Sequence, residues 1–490
     1  MAMRIFTLIS MLCLCLAASA CDKTGTGDGP ERMENTVHLL VEGEPFLMLG
    51  AQLRTDYFIQ LDGKSYDELD PYFELAAKTN ILVVSVPICW RDIEKTRDEY
   101  DMSLVYKYIE LCEKYGMKLE LLWYGSYMCG YSVEGYIPDY VVSDNVTYPE
   151  LKPEAAYQGW LGKQYYLDPG TPALAEREAK ALGAMMDALS EYDREHGGRH
   201  TVVGIQIENE PDMLATRHNS AHGYSPEQLW PDLIRLLDRL GQVVKDSPYE
   251  CYTRVNQTTT YQDYNARAAE IAATEGIDYV GVDPYENTLY NIELKLKWLM
   301  NIPGNYPHIA ENGGEYANND VLMMKAMSLG CGYQIFEVVT TPHEYLKDWT
   351  LRGIYNPDFS FKPHTQLIID AFGILRGGWV DLACAAAGNI VGFNITDDNG
   401  LEETSASDRT QSAGISWSTS SRGIAYAVEN AGHITAASTK DDTMTFTGIS
   451  IGRVETGHYD IDRNWVPEDV IDVSGNTLDM EPCTVYRIEF

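Results

Sequence analysis

Eight alternating strand and helix patterns constrain the fold of this chain more than any other feature. Short apolar runs of strand length alternate with longer stretches in which apolar residues recur at helical spacing. The predicted strands are residues 46–53, 81–89, 118–124, 202–212, 250–256, 277–285, 306–315 and 332–339. The predicted helices are residues 66–78, 104–115, 172–196, 226–245, 264–274, 289–300, 321–329 and 363–375. A hairpin over residues 37–53 leads into the first unit, so the pattern predicts a (β/α)8 TIM barrel over residues 37–375.

The sequence changes in character after Arg376. Thr, Ser, Val, Ile and Gly dominate there, and short β-type runs are separated by turn residues. A chain of 490 residues also exceeds what one small core organises. Residues 376–490 are therefore predicted to form a small antiparallel β-sandwich domain.

The N-terminus has the pattern of a bacterial export signal. Arg4 precedes an apolar run over residues 5–16, and small residues at 17–20 are followed directly by Cys21. This resembles a lipoprotein signal, which implies a signal peptide at 1–20, lipidation of Cys21, and a tether over residues 21–36. Plain cleavage without lipidation is the alternative. The expected location is the bacterial cell envelope, with membrane attachment only through the lipid.

The charge balance excludes one class of partner and the aromatic content favours another. The formal net charge is −36, with 73 acidic against 37 basic residues. Such a chain repels phosphate backbones, so no nucleic-acid partner is expected. The 33 Tyr and 9 Trp residues supply flat apolar rings with polar tips, which suit sugar recognition.

The cysteines do not suggest a metal centre. Seven of the ten lie beyond Cys21, at long spacings and without a CxxC pair, which predicts mostly small buried side chains and at most one disulfide. No metal and no organic cofactor are expected.

The predicted fourth strand carries the clearest chemical signal. In VVGIQIENEPD, the apolar residues Val203, Ile205 and Ile207 alternate with Gln206, Glu208 and Glu210. Alternation predicts that the polar set faces the barrel interior, with Glu210 at the carboxyl end of the strand, where the βα loops of a barrel form the site.

An Asn–Glu pair at the end of strand four, here Asn209–Glu210, resembles the retaining glycosidases with (β/α)8 barrels. The Gln-Ile-Glu-Asn-Glu run is closest to the family-35 and family-42 beta-galactosidases, although Pro211–Asp212 stand where family 35 usually has Tyr-Gly. The resemblance implies that Glu210 is the acid/base and that Asn209 binds substrate. It also implies a nucleophile at the end of strand seven, where Glu311 is favoured over Glu315 because it directly follows the apolar run.

Further substrate contacts are predicted around these carboxylates. Tyr285 resembles the tyrosine that hydrogen-bonds the nucleophile in that clan, and a core role is the alternative. Arg54, at the tip of strand one, is placed to hold a sugar hydroxyl or a carboxylate. For five polar residues, hydrogen bonding within the barrel interior or at its rim is an equal alternative to substrate contact. These residues are Arg54, Glu208, Asp283, Glu337 and His343.

A long connection over residues 125–169 is rich in Tyr, Gly and Pro and is placed to overhang the site. Trp123, just before it, is predicted to contact the substrate. The further candidate sugar platforms, each weighed against simple loop packing, are Tyr124, Tyr127, Tyr131, Tyr136 and Trp160.

The sequence therefore predicts a retaining glycoside hydrolase that cleaves β-linked, galactosyl residues from an oligosaccharide or polysaccharide. Two alternatives stay open. One is an endo-acting glycanase, which an open cleft favours, and the other is a surface glycan-binding protein without catalysis.

Overall fold

The computed structural model describes residues 35–61, 63–152, 157–159, 162–258, 264–341, 352–385, 390–396, 415–418, 422–430, 432–448, 450–473 and 475–490. The predicted signal peptide with Cys21, most of the predicted tether, Trp160 and His343 lie outside these residues.

Eight parallel strands close into a barrel in chain order, which confirms the predicted TIM barrel. Each strand pairs in parallel with its two neighbours, and the first strand follows a hairpin of Leu39–Val41 and Glu44–Phe46. The strands are β1 (Leu49–Gln52), β2 (Val83–Cys89), β3 (Lys118–Met128), β4 (Val202–Asn209), β5 (Tyr252–Thr258), β6 (Tyr279–Asp283), β7 (His308–Gly313) and β8 (Gly332–Phe336).

A helix follows each strand and packs its apolar face outside the barrel. These helices are α1 (Asp70–Lys78), α2 (Ser103–Tyr115), α3 (Pro172–Glu195), α4 (Pro226–Lys245), α5 (Tyr264–Ala272), α6 (Leu289–Met300), α7 (Asn319–Ser328) and α8 (Thr365–Gly377). Local signals set several ends: Pro172 and Pro226 occupy first-turn positions, where the missing N–H is not needed. Gly116 ends α2 at φ 66°, a left-handed conformation that glycine adopts without steric strain.

Shorter helices cover Trp90–Ile93, Asp139–Val142, Asp212–Ala215, Asn219–His222 and Trp379–Cys384.

Polar side chains fill one layer of the barrel interior. Arg254 on β5 donates to both oxygens of Glu120 on β3, at 2.5 and 2.7 Å, and both side chains are completely buried. Ser85, Tyr252 and Gln334 donate further hydrogen bonds to the same carboxylate. This layer lies beneath the carboxyl ends of the strands, so the space for a site is above it.

The C-terminal part forms two antiparallel sheets, as predicted. Its strands are β9 (Ile390–Thr396), β10 (Ile415–Ser418), β11 (Gly423–Asn430), β12 (His433–Ser438), β13 (Asp442–Phe446), β14 (Val454–Tyr459), β15 (Trp465–Ile471), β16 (Thr477–Met480) and β17 (Thr484–Glu489). The larger sheet has the order β9-β11-β12-β17-β14-β15 and the smaller has the order β10-β13-β16. An apolar core that includes Met444, Leu478 and Ile488 lies between them.

The C-terminal sheets pack directly on the barrel helices. Tyr426 donates to the carbonyl of Ile374 in α8 at 2.9 Å, and Asp381 accepts a hydrogen bond from Thr435. In the described part of the chain, no helix is long and apolar enough to cross a bilayer. All seven described cysteines are free thiols.

Candidate active site

A cavity of about 660 Å³ opens at the carboxyl ends of the barrel strands. Its wall combines carboxylates, arginines and aromatic rings contributed by all sides of the barrel mouth. The lining residues are Arg54, Tyr57, Cys129, Tyr131, Gln164, Tyr166, Asn209, Glu210, Met213, Arg217, His218, Ala221, Thr258, Asp283, Pro284, Tyr285, Glu311, Phe336, Glu337, Thr341 and Arg352. Five of the predicted site residues thus meet in one cavity: Arg54, Asn209, Glu210, Tyr285 and Glu311.

The end of β4 departs from simple strand alternation. Glu208 has φ 59° and Glu210 has φ 43°, both in the left-handed region, which is rare for side chains of this type. The turn brings Asn209 and Glu210 together onto the cavity wall. Glu208 instead accepts hydrogen bonds from three backbone N–H groups near the carboxyl end of β3, those of Gly125, Ser126 and Tyr127, at 2.8 to 3.0 Å. The prediction that Glu208 shares a face with Glu210 is therefore wrong.

The surroundings of the Glu210 carboxyl group favour its protonated form. Burial, the negative charge of Glu311 and the charge of Asp212 raise its pKa to about 8, and the Cys129 thiol and Arg217 oppose this shift. The Asn256 side chain accepts a hydrogen bond from the Glu210 N–H at 3.1 Å and so holds the backbone at this turn. Glu210 is thus prepared to donate a proton near neutral pH.

Glu311 lies where a carboxylate is stabilised by donors. Gln52 donates to Glu311 Oε1 at 2.9 Å, and the Tyr285 hydroxyl donates to Oε2 at 2.5 Å. The side chain is only 5% exposed, yet it lines the cavity. Both oxygens therefore have a fixed direction, which a positioned nucleophile needs.

Glu315, the competing candidate at the end of strand seven, takes a different position. Its carboxylate folds back over Gly313, where a β-carbon on that glycine would meet it. Burial raises the pKa of Glu315, while Arg352 and Lys362 oppose the shift. The cavity wall includes Glu311 and not Glu315 among the described residues.

A hydrogen-bond network links the ends of β4, β5 and β6. The Asn256 amide donates to Asn209 Oδ1 at 3.0 Å and to Asp283 Oδ2 at 2.6 Å, and Gln206 also donates to Asn209 at 3.1 Å. Burial and the charges of Glu311 and Glu210 hold the pKa of Asp283 well above its usual range. Sequence reasoning did not single out Asn256, although its place at the end of a predicted strand was a usable signal.

Arg54 lines the cavity but is already engaged. Its Nε and Nη2 donate to the two oxygens of Asp56 at 2.9 and 2.6 Å, and its guanidinium lies 3.9 Å from the centre of the Tyr57 ring. A planar guanidinium held in this way supports the cavity wall.

Trp123 does not reach the cavity, which corrects the predicted substrate contact. It is completely buried, and its indole donates to Glu178 on α3 at 2.8 Å. It stands on β3 opposite Ile207 of β4, on the helix-facing side of the sheet. Strand alternation explains the difference, because the side chain one position before or after points the other way.

Most of the aromatic residues predicted as sugar platforms do not line the cavity, and other aromatic residues do. Tyr131 lines the cavity, whereas Tyr124, Tyr127 and Tyr136 are buried and absent from its described lining. Tyr166, from the same long loop, joins Tyr131 against the ring of His218, with centroids 5.7 and 5.3 Å away.

Charged residues that the sequence did not single out also line the cavity. Arg217 and Arg352 belong to loops whose sequence has no motif that marks them. Glu337, which the sequence did single out as a barrel-interior or rim residue or a substrate contact, is buried and also lines the cavity; burial raises its pKa to about 7, although Thr341 donates two hydrogen bonds to it. Within the described residues, no group of three or more His, Cys, Asp or Glu side chains is arranged to hold a metal ion.

Comparison with known families identifies one partial match. The family described as Domain of unknown function (DUF4978) matches residues 233–400, which covers β5 to β8 and the start of the C-terminal part. No protein of curated function matches the sequence.

Solved structures with a similar fold include several named as glycosidases. The GH5_18 protein of Bifidobacterium longum subsp. longum is 13% identical with TM-score 0.50, over 69% of this chain and 80% of that one. The exo-beta-1,4-mannosidase Op5Man5 of Opitutaceae bacterium strain TAV5 is 14% identical with TM-score 0.49, over 70% and 62%. A family 39 glycoside hydrolase of Bacteroides cellulosilyticus WH2 is 12% identical with TM-score 0.46, over 91% and 81%. This chain therefore spans less than two thirds of the mannosidase, and at such identities the likeness is one of fold.

Proposed function

We propose that this protein is a glycoside hydrolase that removes β-linked sugar residues, galactosyl residues first among them, with retention of configuration. One observation carries the proposal: Glu210 and Glu311 line one cavity in opposite environments. The pKa of Glu210 is raised to about 8, whereas Glu311 accepts hydrogen bonds on both oxygens. Glycoside hydrolysis requires one carboxylic acid that donates a proton and a second carboxyl group that is positioned to attack.

In the first step, Glu311 attacks the anomeric carbon while Glu210 gives its proton to the leaving oxygen. The bond from the sugar to the leaving group breaks as the bond to Glu311 forms. Gln52 and Tyr285 keep the attacking carboxylate in place, and Asn209 lines the same cavity, where it can contact the sugar. In the second step, the ionised Glu210 takes a proton from water, which attacks the same carbon and releases Glu311.

The shape of the site supports action on chain ends. The cavity volume of about 660 Å³ falls within the range of small-ligand sites, roughly 300–1,000 Å³. Two of the lining carboxylates, Glu311 and Asp283, are only 5% and 3% exposed. A pocket of this kind accommodates the end of a glycan more readily than the middle of a polysaccharide chain.

A panel of 4-nitrophenyl β-glycosides tests the proposal. Release of nitrophenol by the purified protein, fastest from the galactoside, is the expected result. The first-formed sugar, followed by NMR, should have the β configuration. Binding of these sugars without turnover would instead assign the protein to glycan recognition, and an α product would exclude a retaining mechanism.

We further propose that the mature protein is held in the bacterial envelope by a lipid on Cys21. The support is the order of Arg4, the apolar run, the small residues and the cysteine. The placement would give the cavity access to glycans outside the inner membrane.

A further inference from the structure

Among the described residues, three guanidinium groups line the cavity, and two of them have clear partners. Arg54 donates two hydrogen bonds to Asp56, and the guanidinium of Arg352 lies 3.8 Å from the centre of the Tyr285 ring. Arg217 differs from both. Its side chain donates at 3.7 Å to the sulfur of Met213, which is a weak acceptor, and it forms no ion pair with a described carboxylate.

Arg217 belongs to the acid side of the site. It follows the short helix Asp212–Ala215, which begins two residues after Glu210. Its charge opposes the raised pKa of Glu210 and of Asp212, which places it within electrostatic reach of both. Arg352 lies across the site, over the tyrosine that holds the nucleophile. Because the acid protonates the leaving oxygen, the wall next to it faces the leaving group.

In an acidic chain, a guanidinium without a carboxylate partner among the described residues is informative. The chain has 73 acidic and 37 basic residues, so carboxylates are available to pair with most arginines. Arg217 is nevertheless exposed and contributes to the cavity wall. A guanidinium presents several donors in one plane, which match the oxygens of a carboxylate or a sulfate ester.

We propose that Arg217 binds an anionic group, a carboxylate or a sulfate ester, on the leaving-group part of the substrate. This specificity rests on the proposed glycosidase function. It also couples binding to catalysis, because an anion on Arg217 offsets the positive charge next to Glu210. The acid then keeps its proton to higher pH in the complex than in the free protein.

Three β-glycosides of one sugar, chosen as the sugar that the wild-type protein hydrolyses, test the assignment. Their aglycones are 3-hydroxybenzoate, its methyl ester and 3-hydroxyphenyl sulfate, so a charged and a neutral leaving group of similar shape are compared. We expect kcat/KM for an anionic substrate to exceed that for the ester by about tenfold, the size of one charge-assisted contact. Arg217→Met should remove the preference, Arg217→Lys should keep part of it, and Arg199→Met, at an exposed arginine elsewhere, should keep all of it.

The two anionic substrates identify the ligand. Preference for the benzoate alone assigns a carboxylate, and preference for the sulfate alone assigns a sulfate ester. Equal kcat/KM for all three substrates in the wild type, or an unchanged preference in Arg217→Met, would overturn the proposal.

Failure of the proposed function has a separate signature. If the wild-type protein hydrolyses none of the 4-nitrophenyl β-glycosides, the glycosidase assignment fails, and the three test glycosides are then made with galactose, the sugar first proposed. Calorimetric titration of the benzoate and ester glycosides into wild-type protein and Arg217→Met still decides the role of Arg217. Tighter binding of the benzoate that disappears in the variant supports anion recognition, and equal binding overturns it.

Discussion

The hydroxyl of Tyr285 lies 2.5 Å from Glu311 Oε2 and donates a hydrogen bond to it. Tyr285 has φ 48°, so the backbone after β6 turns to bring the ring over the end of β7. Burial and the negative charge of Glu311 hold the pKa of the phenol well above its usual range, although Arg352 opposes them. The phenol therefore remains a donor throughout the working pH range.

Removing this donor should slow catalysis without unfolding the protein. In Tyr285→Phe, Glu311 loses one of its two side-chain hydrogen bonds, and a bond to a charged group contributes about 1.5–3 kcal/mol. We expect kcat/KM on 4-nitrophenyl glycosides to fall by roughly ten- to 100-fold. Tyr290→Phe, at an exposed tyrosine, is the matched control, and equal rates in the two variants would exclude a catalytic role for the bond.

Replacement of each carboxylate should have a different effect. Glu311→Ala is expected to be inactive on every substrate, because both steps need the nucleophile. Glu210→Ala should lose about 10²- to 10⁴-fold on poor leaving groups, keep activity on activated aryl glycosides and recover with azide, which attacks without a general base.

Glu315→Ala is the control for the assignment at the end of β7. It should retain turnover, since the Glu315 carboxylate folds back over Gly313. An inactive Glu315→Ala beside an active Glu311→Ala would transfer the nucleophile to Glu315.

The pH dependence of kcat/KM follows from Glu210. Its pKa is raised to about 8, so the required proton is present below that pH and is lost as the pH rises through it. With a substrate whose leaving group needs protonation, kcat/KM should fall above pH 8, approaching tenfold for each further pH unit. A profile measured from pH 5 to 10 checks this. If kcat/KM already begins to fall near pH 5 as the pH rises, Glu210 is not the acid.

Stability should depend on the buried ion pair inside the barrel. Arg254→Met leaves Glu120 charged, buried and without its main partner, a change that costs about 3–5 kcal/mol. Arg239→Met breaks a largely exposed pair with Glu176 and should cost under about 1 kcal/mol. Urea unfolding of both variants measures the difference, and similar losses would mean that the buried pair contributes no more than a surface pair.

Replacing the proposed lipid site should change where the protein is found. Cys21→Ala removes the acyl-bearing thiol, so the protein should move from the membrane fraction to the soluble fraction. Fractionation of expressing cells with an antibody against the protein measures this. Persistent membrane association of the variant would contradict the anchor.

The sequence by itself determined the order of the elements and the strand ends that carry chemistry. Helix and strand periods are local properties, and eight repeats of one unit leave the closed barrel as the natural way to bury them. The carboxyl ends of parallel strands gather at one face, so Glu210 and Glu311 could be expected near each other from their positions alone.

Only the tertiary structure decided which side chains reach the cavity. A strand residue faces inward or outward according to one position of register, and so Trp123 packs against α3 instead of substrate. Positive φ values at Glu208 and Glu210 reverse the local alternation, and the long loops bring Tyr166, Arg217 and Arg352 to the wall from distant parts of the chain. These outcomes depend on backbone turns and loop packing between segments far apart in sequence, which a local pattern of residues does not encode.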